Sequence, residues 1–179
     1  MGVLIGISKL IDAMNERLGR LANWLVLLAC LISAGNAMSR YAFDLSSNAW
    51  LEVQWYLFAA IVMLGASYTL RMNEHVRVDI LYSHLSERGK EWLDLVGTAL
   101  FLVPTMLVIA YYSWPFFLQS FQTREISGNA GGLIRYPVKF ILPLGFTLVA
   151  LQGVSEMIKR AAALHGDVRY VTHYERPLQ

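Results

Sequence analysis

Any chemistry this chain performs must come from a short list of side chains. Its four histidines, His75, His84, His165 and His173, are the imidazoles available for metal or haem ligation and for proton transfer near neutral pH. Haem held inside a membrane bundle needs histidines that face each other across it, whereas all four lie between or after the long apolar runs. His75 stands beside Glu74 and near Asp79, a grouping that can hold a metal but is more simply read as surface hydrogen bonding. The single cysteine, Cys30, lies inside an apolar run with no partner for an intrachain disulfide, which marks it as a packing residue. A channel or carrier places ionisable groups at membrane depth, where they are costly without a function. Here Glu52, Asp94 and Glu156 all stand at the ends of apolar runs. The middles offer Ser33, Asn36, Ser67, Thr69, Thr98, Thr105 and Thr147, residue types that make hydrogen bonds between helices. There is no glycine-rich phosphate loop, no nucleophile beside a base and no His-Glu-x-x-His helix. The chain reads as a protein that is not an enzyme and holds no cofactor or metal of its own.

The elements that position these groups are membrane helices. Of 179 residues, 56% are hydrophobic and 16% charged, with a mean hydropathy of +0.44, while soluble domains carry about a quarter charged residues. Four apolar runs, 21–38, 49–70, 92–118 and 137–158, each reach the length of about 20 residues that crosses a hydrocarbon core. Aromatics of the interfacial type mark their ends, among them Trp24, Tyr41, Trp50, Trp92, Trp114 and Tyr136. The expected fold is an all-α membrane protein, a single four-span domain over 1–179, because a spanning backbone must satisfy its own hydrogen bonds. With the N-terminus inside, Lys9, Arg17, Arg20, Arg71, Arg77, Arg88, Lys90, Lys159, Arg160, Arg169 and Arg176 are cytoplasmic, and Arg40, Arg124, Arg135 and Lys139 are external. That is eleven against four, which sums to the fifteen Lys and Arg of the chain and places both termini in the cytoplasm. Four spans are too few for a complete secondary transporter of the usual two-bundle kind, and two hairpins of equal orientation supply no inverted repeat. A net charge of +2 is too mild to point to nucleic acid. No short apolar segment with a small-residue cleavage site stands at the front, so no cleavable signal is expected.

Within 1–20, Val3, Leu4, Ile7, Leu10, Ile11, Met14 and Leu18 recur at three- and four-residue steps with Lys9, Asp12 and Glu16 on the other side, which predicts an interfacial helix. The alternation of Val76, Ile80, Leu81 and Leu85 with Arg77, Asp79, His84, Glu87 and Arg88 allows a second interfacial helix between spans two and three, and Ser86 is placed to cap the third span. Pro104, Pro115 and Pro143 predict bends. Gly65, Gly97, Gly145 and Gly153 permit close helix approach, within the chain or to a partner. The external connection 119–136 contains Ser127-Gly128-Asn129-Ala130-Gly131-Gly132 and predicts a shaped loop or re-entrant turn. Residues 161–179 are expected to form a cytoplasmic tail.

From Arg40 to Leu81 the sequence reads RYAFDLSSNAWLEVQWYLFAAIVMLGASYTLRMNEHVRVDIL. It resembles the small membrane subunit, the DctQ-like small permease, of tripartite ATP-independent periplasmic (TRAP) transporters. The resemblance is carried by Arg40-Tyr41 at the end of span one, Trp50 and Glu52 at the start of span two, Gly65 late in it, and His75 followed by Val76, Val78 and Asp79. A second acidic position common in the family is filled here by Val53-Gln54-Trp55. The stretch from Pro137 to Gly145 is similar to a branch described as mannitol or chloroaromatic-compound type. The resemblance implies a subunit of the bacterial inner membrane in a sodium-coupled secondary system for an organic acid or related solute. Its implied partners are a large permease, which carries solute and sodium ions, a periplasmic solute-binding protein, and the lipid bilayer.

On this reading the small subunit braces the large one and helps dock the binding protein. The expected docking surface comprises the outward segments 44–50 and 124–135, with Arg124, Glu125 and Arg135 forming rim charge pairs. Arg40 and Glu52 suit opposite helix ends and are placed to bridge the short outer turn. A self-assembling small channel or carrier, and a membrane-anchor subunit of a redox complex, are the rival readings.

Overall fold

The computed structural model describes residues 2–45, 47–74 and 84–166. Within them the chain forms four helices, each long and apolar enough to cross a membrane: α1 (Gly2–Phe43), α2 (Asn48–Arg71), α3 (Glu87–Gln122) and α4 (Tyr136–Leu164). The protein is an all-α, multi-pass membrane protein. Starts are set by local chemistry. Ser47 accepts a hydrogen bond from the Ala49 amide at 3.3 Å, and Ser86 accepts one from Gly89 at 3.2 Å, capping α2 and α3. Pro137 occupies the first turn of α4, where its missing N–H costs nothing.

α4 is the central helix and packs against each of the other three, whereas α1 packs with α2 and α3 leans on α4. Burial follows this order: 44% of the most apolar window of α4 is buried within the chain and none of that of α3. Ala22, Ala60, Leu64 and Leu148 form the core, flanked by Met14, Leu18, Leu25, Ile141 and Leu144. Missing side chains let the helices close. A Cβ at Gly19 would lie 2.5 Å from Tyr68 Cγ, one at Gly145 would lie 2.6 Å from Met63 Cβ, and one at Gly153 would lie 2.7 Å from Val103 Cγ2. A Cβ at Gly65 or Gly97 would meet nothing within 4 Å.

The prolines act differently from one another. Ahead of Pro104, residues Thr98–Leu102 form a π-helical turn in which the Val103 amide reaches back to the Thr98 carbonyl. Pro104 has no N–H to continue the ordinary ladder, so the wider turn absorbs the loss. Pro115 and Pro143 lie within continuous helix.

The first helix departs from the sequence expectation. The amphipathic segment is helical, but no break separates it from span one, and 42 residues make α1 about 63 Å long. Its faces also divide otherwise than expected. Ser8 and Asn15 are buried with Gly19 and Ala22, and Asp12 turns inward with them, while Val3 and Leu10 are 79% and 73% exposed. This polar stripe faces protein because α4 supplies its hydrogen-bond partners, and of the apolar set Met14 and Leu18 flank the core while Val3, Leu4, Ile7 and Leu10 stay exposed. The proposed second interfacial helix falls largely on 75–83, and the end of the tail on 167–179, both outside the described residues. What is described of 161–179 begins as helix, since α4 runs to Leu164.

Candidate functional site

Two polar assemblies stand at opposite ends of the bundle. The first is organised by Glu52, which lies one turn into α2 and is only 3% exposed. Its Oε1 accepts hydrogen bonds from the Ser127 hydroxyl and from Asn129 Nδ2 at 2.7 Å, and its Oε2 accepts the Leu133 amide at 2.7 Å. One carboxylate therefore gathers three donors from the connection between α3 and α4, as a buried anion requires.

That connection is a short hairpin. Ile126 and Ile134 form an antiparallel bridge, the Ser127 amide donates to Leu133 O at 2.9 Å, and the Arg135 amide donates to Glu125 O at 2.9 Å. Its turn depends on glycine at two places. Gly131 adopts φ +70°, and a Cβ at Gly132 would stand 2.5 Å from Ser127 Cβ and 2.9 Å from two carbonyl oxygens. Asn48 Nδ2 donates to Ala130 O at 3.3 Å, a second tie to the start of α2.

Glu125 anchors the base of the hairpin to α4, pairing with Lys139 at 2.5 Å and with Arg135 at 3.5 Å. The Lys139 hydrogen bond, helped by Ser120 and the charges of Lys139 and Arg135, holds the Glu125 carboxyl below the ordinary glutamate range. The Lys139 ammonium also lies 4.0 Å from the centre of the Phe116 ring. Beneath it, Trp114, Phe117, Phe121, Tyr136 and Phe140 pack edge to face or tilted. A shaped hairpin is thus fixed to three helices.

The second assembly joins α1 to α4. Ser8 Oγ lies 2.7 Å from Ser155 Oγ, Asn15 Nδ2 donates to Gln152 Oε1 at 2.7 Å, and Gln152 Nε2 donates to Asp12 at 2.9 Å and Glu156 at 3.0 Å. Lys159 closes the group, 3.1 Å from Asp12 Oδ2 and 2.5 Å from Glu156 Oε1. From the next residue, the Arg160 guanidinium lies 3.0 Å from Glu91 and 2.8 Å from Asp94, fastening α4 to α3. Glu16 bridges Arg20 and Arg71, fastening α1 to α2. No group of three potential metal ligands occurs among the described residues.

The residues singled out from the sequence do not form one site. Glu52, Glu125 and Arg135 come together around the hairpin. Arg124 is exposed at its edge with φ +48°, in the backbone position that turns the chain out of α3. Arg40, Tyr41 and Trp50 are exposed, Gly65 is half-buried with open space at its Cβ position, and His75 and Asp79 lie outside the described residues. Glu52 does not bridge to Arg40, because both of its oxygens are turned into the hairpin. Asp12, Gln152, Ser155, Glu91 and Arg160 received no role from sequence. Their signal was two polar stripes at helical spacing, Ser8, Asp12 and Asn15 on one helix and Gln152, Ser155, Glu156 and Lys159 on another.

Among protein families, the DctQ component of tripartite ATP-independent periplasmic transporters matches residues 30–163. The chain belongs to the DctQ family. It is therefore a small subunit of a TRAP transporter, with four helices long and apolar enough to span a membrane. No curated protein and no solved structure matches the chain. The match begins at Cys30, within α1, so the latch made by residues 8–20 is built partly from sequence ahead of it.

Proposed function

We propose that this DctQ component braces the large permease of a sodium-coupled TRAP transporter and presents its external hairpin to the periplasmic solute-binding protein. The solute and sodium ions are carried by the large subunit, and the solute is an organic acid or related compound. The chain sits in the bacterial inner membrane with both termini cytoplasmic, as the bias of basic residues suggests.

The observation that carries the reading is the Glu52 clamp. A loop that served merely as a connection would need no buried carboxylate to hold its turn; a loop recognised by another protein gains affinity from being ordered in advance. Arg124 and Arg135 are exposed on that ordered hairpin and offer rim charges that steer encounter. Reversal of both charges, with uptake measured over a range of salt concentrations alongside the binding protein, tests the docking role. Reduced uptake that becomes less sensitive to salt is the expected result. Unchanged uptake with unchanged salt dependence refutes docking at this surface. Copurification of the large permease, scored in the same preparations, reports the bracing role separately.

A further inference from the structure

One face of α1 carries a pattern that neither the bracing nor the docking role uses. Lys9, Arg17, Arg20, Trp24, Leu27 and Leu31 follow one another at steps of eight, three, four, three and four residues, which keeps them on a single face. That face is opposite the one formed by Ser8, Asn15, Gly19, Ala22 and Ala29, which is buried in the bundle. Its members are open: the Arg20 side chain is 71% exposed, Trp24 70% and Leu31 61%. From Arg20 to Leu31 the helix rises about 16 Å, close to half of the roughly 30 Å hydrocarbon core. Cation, tryptophan and aliphatic side chains thus succeed each other over one leaflet in the order of phosphate, interface and acyl chain.

Charge accounting on this face leaves it cationic. Lys9 and Arg17 are exposed and form no ion pair among the described residues. Asp12 is turned away into Gln152, Ser155 and Lys159, and the one nearby carboxylate, Glu16, is divided between Arg20 and Arg71. A partner helix would be favoured by small residues that let backbones approach; this stripe presents long cations, a tryptophan and leucines, the side chains of a lipid-facing surface.

We infer that the stripe binds an anionic phospholipid, with Arg17 and Arg20 on the headgroup phosphate, Trp24 at the interface, and Leu27 and Leu31 along the acyl chain. Lys9, about two turns below Arg17, reaches a neighbouring headgroup. The inference rests on the proposed orientation only in naming the leaflet as the cytoplasmic one.

The test uses the full chain in detergent, with or without a copurifying permease, titrated with phosphatidylglycerol, phosphatidylcholine or soluble glycerol phosphate while thermal stability and bound lipid are read by native mass spectrometry and scanning fluorimetry. Phosphatidylglycerol is expected to bind more tightly than phosphatidylcholine, and more weakly as salt rises. Arg17→Gln with Arg20→Gln is expected to reduce that affinity about 25-fold, about fivefold for each cation removed, whereas Arg17→Lys with Arg20→Lys retains most of it. Equal binding of the two lipids to the unaltered chain overturns the inference, and this comparison needs no variant to fold. A glutamine variant that keeps its preference, or glycerol phosphate that matches phosphatidylglycerol, overturns it as well. Loss of permease copurification with lipid preference intact would count against the bracing role and leave the lipid site supported.

Discussion

Replacing Arg160 with methionine should be among the most damaging single changes available in this chain. The Arg160 side chain is 5% exposed, and its guanidinium is shared by Glu91 at 3.0 Å and Asp94 at 2.8 Å, themselves 15% and 16% exposed. Methionine approximates the volume of the stem but takes from two largely enclosed carboxylates, three residues apart on α3, the guanidinium they share. Removing one partner of a buried ion pair costs about 3–5 kcal/mol, mostly because the remaining charge stays desolvated. Neutralising the other side should reverse this. A triple variant carrying Arg160→Met, Glu91→Gln and Asp94→Asn is expected to recover most of the loss, since replacing a whole buried ionic group by neutral residues of similar size is often close to neutral. Reversible unfolding in mixed micelles, followed by the fluorescence of Trp92 beside Glu91, gives both numbers. A loss below about 1 kcal/mol for the single variant, in the range of an exposed pair, would refute the view that this clamp is effectively buried. A triple variant no more stable than the single one would refute the account of why it is costly.

Four further outcomes follow from other contacts. Gly145→Ala drives a methyl group to 2.6 Å from Met63 Cβ, an atom close to the backbone that cannot swing aside, and should cost about 1–3 kcal/mol; Gly65→Ala, with nothing within 4 Å, should change stability by less than about 0.5 kcal/mol in the same unfolding assay. Glu52→Gln should speed hydrogen exchange at the Leu133 amide at least about tenfold, because that N–H then loses a charged acceptor, while a double-mutant cycle on Arg40 and Glu52 should show no coupling in chain stability. The Glu125 carboxyl titrates below its ordinary range, so the order it lends the hairpin is fully present above that range and is lost as pH falls through the lowered value. Amide exchange at Arg135 from pH 6 down to 3 should show that transition, and Lys139→Gln should move it upward, toward the ordinary glutamate range.

Much of the fold is legible in the sequence because it depends on local signals. The four spans follow from apolar run length, the start of α3 from Ser86, and the shaped connection between α3 and α4 from its glycine-rich turn. What escaped has partners far along the chain. Asp12 on an isolated amphipathic segment reads as solvated; its true environment is set by Gln152, Ser155 and Lys159, about 140 residues later. The same holds for Glu52, whose place near a helix start suggested a local role, while its donors lie at Ser127, Asn129 and Leu133. Hydropathy pattern reports which residues avoid water, and in a membrane protein it cannot say whether a polar stripe looks toward solvent or toward another helix.

The central position of α4 has a consequence for biogenesis. Helices enter the membrane in the order in which they are made, so α1 and α2 can pair early, whereas α3 arrives with only α4 to lean on and must wait for it. The last helix synthesised is the one that joins the other three. Until Gln152 to Arg160 has left the ribosome, Ser8 and Asp12 lack the α4 groups that hold them, and Glu91 and Asp94 lack the guanidinium they share. A nascent chain halted before residue 152 lacks, among the described residues, the polar contacts that tie α1 to α3 through α4, and should be a target of quality control.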